Sequence, residues 1–295
     1  MRVATGSACA ARPIAQMLCR VAAIAKKPSS SRAKVAEQGK VRVNRRWKPL
    51  LLAESGEPNQ AAQGDRSAML SNDLKRRVWV QTLLFLPFLA LALFAPAGTL
   101  RFWQAWLYGL VFVAATSAMG FYFLKHDPKL IERRMRVGPA AEREPAQKII
   151  VIMIMIGFFL MIVIPGFDYR WHWSAVPSWL VLVADGFVAL GFAVCFVVLQ
   201  QNSYAASTIT VEPGQPVVST GLYSIVRHPM YAGALLLMGF SPLALGSYWT
   251  LLLLVPMFPV LAWRLLDEER FLKQNLPGYA NYCRQVRYRL IPGIW

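Results

Sequence analysis

Charge is what this sequence has least of. Only 16% of its 295 residues are Asp, Glu, Lys or Arg, against about 25% in an ordinary soluble domain. The deficit falls in long apolar runs, the pattern of membrane spans. Cysteine is scarce as well: Cys9, Cys19, Cys195 and Cys283 are scattered singly, which excludes a disulfide framework and a thiolate metal site. His126, His172 and His228 are far apart and form no HExxH or Cys/His cluster, so no metal is expected. No GxGxxG is present, and no acidic residue precedes Glu37.

What charge there is, is basic. The net charge is +17, and residues 1–77 alone hold 16 basic against 5 acidic side chains. This segment carries Ser29, Ser30, Ser31 and Arg32 in a row, a basic stretch at 40–48 and a polar region at 54–66. Its composition resembles a transit peptide. It reads as a disordered basic extension, residues 1–68, ahead of a protein whose organised part starts at Met69. Nucleic acid, a common partner of such charge, is not expected, because no compact soluble unit is there to present a patch.

Apolar runs at 78–95, 103–124, 149–164 and 179–199 predict four membrane helices. Pro87 in the first is tolerable in a membrane. Trp103, Trp106 and Tyr108 open the second at interfacial depth, and the aromatic belt 167–173 follows the third. Two shorter runs, 231–246 and 249–265, form a hairpin followed by an amphipathic tail. The expected fold is therefore all-α: a polytopic helical bundle over 69–199 and a C-terminal functional region over 200–295. The leader (Lys75, Arg76, Arg77), the loop 125–148 with seven basic side chains, the segment 200–230 and the tail fall on one side. Basic excess assigns that side to the cytoplasm. The loop's arginines are read either as this bias or as a lipid-headgroup site. Asp185, inside the fourth run, is either a substrate-pathway or helix-pairing carboxylate facing the bundle interior, or a shallow interfacial one.

Two clusters carry chemistry. In the stretch 220–233, Gly221 permits a close turn and Pro229 biases His228 to extended backbone, so that a helix starts at Pro229. The free N–H groups and positive dipole end of that helix suit a carboxylate, with His228 and Tyr231 at the mouth. In the stretch 263–269, Arg264 and Glu268 share a helix face, with Glu269 about 100° further round. The acidic run 267–269 opposes the basic trend of its surroundings. A hairpin brings both clusters to one membrane face.

The order Gly221–Leu222–Tyr223, Val226–Arg227–His228–Pro229–Met230–Tyr231, an apolar hairpin, Arg264–Glu268–Glu269, then Pro277–Gly278–Tyr279 and Leu290–Ile291–Pro292 resembles the isoprenylcysteine carboxyl methyltransferase family. Its wider group includes phospholipid N-methyltransferases. The resemblance is strong over 200–295, reaches the earlier spans only as a pattern of apolar helices, and does not cover 1–68. It implies an integral membrane enzyme that takes S-adenosyl-L-methionine as methyl donor and a lipid or lipidated acceptor from the bilayer. Cofactor contacts implied by motif position are Gln215, Pro216, Val217, Val218, Tyr223, His228, Pro229, Met230, Tyr231 and Glu268. Arg264 is implied to address the substrate, and Arg264, Glu268 and Glu269 are the expected catalytic set. A carboxylate acceptor needs no general base; an amine acceptor does, with Glu269 or Asp185 as candidates. Two rivals remain: a nicotinamide-dependent membrane reductase, since sterol reductases share a similar hairpin, and an inactive membrane scaffold.

Overall fold

The computed structural model describes residues 60–142 and 144–295, with side chains from Asn72 onward. Most of the expected N-terminal extension, residues 1–59, lies outside the described residues. The compact unit is Leu70–Trp295. All regular structure among the described residues is helical: α1 Gln60–Ala97, α2 Trp103–His126, α3 Pro128–Met135, α4 Pro145–Trp171, α5 Ser178–Gln201, α6 Pro229–Ala244, α7 Leu254–Asn275 and α8 Tyr279–Gln285. Short 3₁₀ turns occupy Pro139–Ala141, Gly221–Ser224 and Trp249–Leu253.

Five stretches are long and apolar enough to cross a bilayer: Asn72–Ala97, Trp103–His126, Pro145–Trp171, Ser178–Gln201 and Trp249–Asn275. The chain is a polytopic helical membrane bundle whose lipid-facing surface carries exposed Leu83, Leu84, Leu91, Leu110 and Val255. The second arm of the hairpin is thus a span in its own right, giving five rather than four plus a hairpin. It runs past residue 265 to Asn275 because no helix breaker stands before Pro277–Gly278. Helix α4 likewise runs past residue 164 through the aromatic belt to Trp171, with Pro165 accommodated inside it. The loop 125–148 holds a helix that the hydropathy pattern hid: the Asp127 side chain accepts from the Leu130 N–H at 3.1 Å and Pro128 opens α3. Leu130 is fully buried, in a cluster with Phe123 and Leu199.

Helix α6 is the exception in length. Its 16 residues rise only about 24 Å, short of a hydrocarbon core of about 30 Å. Exposed Tyr248 and Trp249 stand just beyond it, aromatic residues of the kind enriched at membrane interfaces. Helices cannot gain from apolar burial against lipid, so close approach of small residues holds such bundles together. Gly191 of α5 and Gly233 of α6 provide it here. A Cβ at Gly233 would lie 2.7 Å from the Cys195 sulfur and 3.1 Å from the Gly191 carbonyl. Gly233→Leu is expected to force the two helices apart and destabilise the bundle by about 1–3 kcal/mol, read as a lower unfolding temperature in detergent.

Opposite the basic face, buried Asp168 at the end of α4 accepts from the Ser174 N–H at 2.7 Å and its hydroxyl at 2.6 Å, and from the Ser247 hydroxyl. This network ties the α4–α5 connection to the α6–α7 connection. Asp185 is 5% exposed, so it faces the bundle interior. Neither of its oxygens has a hydrogen-bond partner in the protein.

Candidate active site

The segment between α5 and α6 crosses the basic face and builds the site on a tight turn. Gly221 has φ +62°, and a Cβ there would fall 2.5 Å from the Gln201 side-chain amide, so the turn requires glycine. Gln201 Oε1 accepts the Leu222 N–H at 2.9 Å. Tyr223 then points its hydroxyl to Asn202, whose Nδ2 donates to it at 3.0 Å. The C-terminal tail fastens this turn from outside. Tyr282 donates to the Tyr223 carbonyl at 2.7 Å, and the Arg227 and His228 N–H groups donate to the Tyr288 and Arg289 carbonyls, each at 2.9 Å. His228 is the N-cap of α6 with no capping bond from its side chain.

Helix α7 supplies the opposing charges. Tyr231 donates to Glu268 Oε2 at 2.7 Å. Arg264 is 8% exposed and makes no ion pair with Glu268, the partner that helix spacing suggested. Its Nη1 donates to Gln147 at 2.7 Å, and its Nη2 to Glu142 at 2.8 Å and to the Ser207 carbonyl at 3.0 Å. The connection to α4 therefore reaches across and fixes the guanidinium.

These elements enclose one cavity of about 390 Å³, within the usual range for small-molecule sites of about 300–1,000 Å³. Gln215, Pro216, Val217 and Val218 before the turn, Tyr223 in it, His228 to Tyr231 at the start of α6, and Arg264 and Glu268 from α7 all line it. Glu268 and His228 thus face a common space. Glu269 does not line the cavity. It is 2% exposed, and its carboxylate is taken up by Arg227 at 2.6 Å, Arg289 at 3.3 Å, Lys273 at 3.4 Å and His228 Nε2 at 3.5 Å. The carboxylate expected in the catalytic set is thus engaged by these groups outside the cavity lining. Asp185 does not line the cavity either, so neither carboxylate suggested as a base for an amine meets this space.

Sequence reasoning missed Arg134, Asn202, Arg227 and Tyr279, which also line the cavity, and Glu142 and Gln147, which hold Arg264. Glu142 left one signal, an acid in a basic loop. Burial pushes the Tyr223 hydroxyl up to about 12, so it stays protonated. Burial also lowers Arg134 from the ordinary guanidinium value, because desolvation disfavours the charged form. Outside the cavity, Arg133 donates through Nε at 2.8 Å and Nη2 at 2.7 Å to Glu212. This pair closes the loop over the cavity segment, and the hydrogen bonds from Arg133 hold Glu212 below the usual carboxylate value. A depressed carboxylate contributes above the unfolded value of about 4.3, and that contribution is lost as pH falls through the folded value. Arg133→Ala is expected to lower stability slightly above about pH 5, by at most about 1 kcal/mol because the pair is partly exposed, and to leave it unchanged in acid, so that the acid limb of a stability-versus-pH curve flattens.

Residues 179–277 match the family model of phospholipid methyltransferases. The matched stretch takes in nearly all of α5, all of α6 and α7, and most of the cavity wall, and it supports a membrane methyltransferase. It also bears out, over that stretch, the resemblance to the wider methyltransferase group that includes the isoprenylcysteine enzymes. A second likeness points elsewhere. Over 95 residues the chain is 32% identical to a mouse (Mus musculus) protein, Delta(14)-sterol reductase TM7SF2, covering 30% of this chain and 22% of that protein. The chain therefore spans about a fifth of that relative's length.

Proposed function

We propose that the protein is an S-adenosylmethionine-dependent membrane methyltransferase that esterifies a membrane-embedded carboxylate, of the isoprenylcysteine type, from the cytoplasmic face. The observation that carries this reading is the shared cavity, into which two sequence clusters thirty to fifty residues apart bring an acid, a histidine, aromatic rings and a buried arginine. The donor's chemistry fits the lining. Glu268 offers a carboxylate to its cationic groups, Tyr223 and Tyr231 offer aromatic faces, and the Tyr279 hydroxyl is buried without a hydrogen-bond partner in the protein.

When bound, S-adenosylmethionine supplies an electrophilic methyl group for in-line transfer. The protein's own residues position and neutralise. Arg264, held at three points, presents a fixed guanidinium to an anionic acceptor, and Arg134 and Arg227 line the same wall. A carboxylate acceptor arrives ionised, so no base is required, in keeping with a cavity that neither Glu269 nor Asp185 lines. Rate enhancement then rests on positioning and on exclusion of water from the cavity at the start of α6. A lipid amine acceptor is the alternative within this class, and the similarity to a sterol reductase favours a nicotinamide-dependent enzyme as the second reading.

Equilibrium binding of labelled S-adenosylmethionine against NADPH to the purified protein separates the two classes. Saturable binding of the first alone supports the methyltransferase. With the donor bound, base-labile label on a prenylcysteine analogue supports the carboxylate acceptor; label on a phospholipid headgroup supports the amine.

A further inference from the structure

We infer that Tyr279 is a further binding residue of this cavity, its hydroxyl forming a hydrogen bond with the nucleoside part of the bound donor. The inference rests on the methyl-donor reading above. Tyr279 lies just past the stretch 179–277 matched by the family model, and it opens α8 immediately after Gly278, whose φ of +88° turns the chain back toward the cavity. The residue is 5% exposed and lines the cavity. Its hydroxyl oxygen is fully enclosed and has no hydrogen-bond partner in the protein. A buried tyrosine hydroxyl normally finds a partner, and leaving one unmade carries the full desolvation cost. Its neighbour in the same helix shows the contrast. Tyr282 is equally buried, yet its hydroxyl is spent on the Tyr223 carbonyl at 2.7 Å. Both rings line the cavity; the Tyr282 hydroxyl is committed to the fold, whereas that of Tyr279 is left unpaired.

The nucleoside is the part of the donor that matches this wall. Tyr279 packs with Leu276, Tyr282, Val217 and Tyr223, an apolar and aromatic surface suited to a planar base and its sugar. The charged amino-acid end is better served by Glu268 and the arginines. Burial also raises the Tyr279 hydroxyl well above its ordinary value, so it meets the ligand as a neutral group.

Tyr279→Phe keeps the ring and removes only the hydroxyl. We expect about a tenfold loss of affinity for S-adenosylhomocysteine, the scale of one neutral hydrogen bond, with an unchanged unfolding temperature in detergent. The same loss is expected for 5′-methylthioadenosine, which keeps the nucleoside and lacks the amino-acid end. Tyr282→Phe is the comparator, lowering the unfolding temperature. Parent-like binding of both probes by Tyr279→Phe overturns the inference, as does a loss confined to S-adenosylhomocysteine. If the parent protein binds neither probe, the methyl-donor reading itself fails, a distinct result.

Discussion

Glu268→Ala is expected to abolish measurable binding of S-adenosylmethionine, a loss of at least about 100-fold, while the protein remains folded. Two effects act in the same direction. Removing a carboxylate that pairs with a cationic ligand costs about 1.5–3 kcal/mol, or roughly 10- to 150-fold. The cavity is also lined by Arg134, Arg227 and Arg264; Glu269 pairs with Arg227 and Glu142 with Arg264, so deleting the one lining carboxylate leaves the charge of Arg134 facing a cationic sulfonium. Opposing them is only the gain from relieving a partly desolvated acid, which is small because Glu268 already accepts from Tyr231 at 2.7 Å. Glu268→Gln separates the terms. It retains an acceptor for Tyr231 and loses the charge, so an affinity between parent and alanine variant is expected. Equilibrium dialysis with labelled donor measures both, with thermal unfolding to show that α7 is intact. An alanine variant that binds as tightly as the parent would return the scaffold reading to first place.

The parts of this protein that were legible beforehand are those governed by local pattern. Apolar runs gave the helices, and Gly221 and Pro229 gave a turn followed by a helix start, because each depends on the residue's own backbone preference. The ArgHisPro mouth and the acids of 267–269 came to one face because a hairpin leaves little choice. What stayed hidden depended on contacts between segments distant in the chain. Spacing paired Arg264 with Glu268 on one helix face, but the guanidinium turns to Glu142 and Gln147, more than a hundred residues earlier. Glu269 and Glu268 were indistinguishable as adjacent acids. The 100° step between them on α7 sends one carboxylate into the cavity and the other into the tail's arginines, a difference only tertiary packing creates. Helix α3 was masked by its charge, since an amphipathic helix at an interface carries no hydropathy signal; the Asp127–Pro128 pair was its only local mark.

Glu269→Ala is expected to be the most destabilising single change in the C-terminal region, by about 3–5 kcal/mol, the scale for removing one partner of a buried ion pair. The carboxylate is 2% exposed and its closest partner, Arg227, is itself only 10% exposed at the side chain. Deleting it leaves a buried guanidinium whose remaining acceptors are the Val286 and Arg287 carbonyls at 3.0 and 2.8 Å. Those carbonyls carry no net charge to balance it. The same carboxylate also draws Arg289 toward α7, and Arg289 lies in the strip that pairs through its carbonyl with the His228 N–H. Loss of Glu269 should therefore loosen the tail and the mouth of α6 together. Lys273→Ala removes a partner of the same carboxylate whose side chain is 43% exposed, and exposed pairs contribute at most about 1 kcal/mol. Unfolding in detergent should rank Glu269→Ala far below Lys273→Ala, with donor affinity in the Glu269 variant falling only as the folded fraction falls. Equal unfolding temperatures for the two variants would mean that the tail is held by its backbone pairing alone. A Glu269→Gln variant that stays fully folded but loses turnover would place this carboxylate in the chemistry after all.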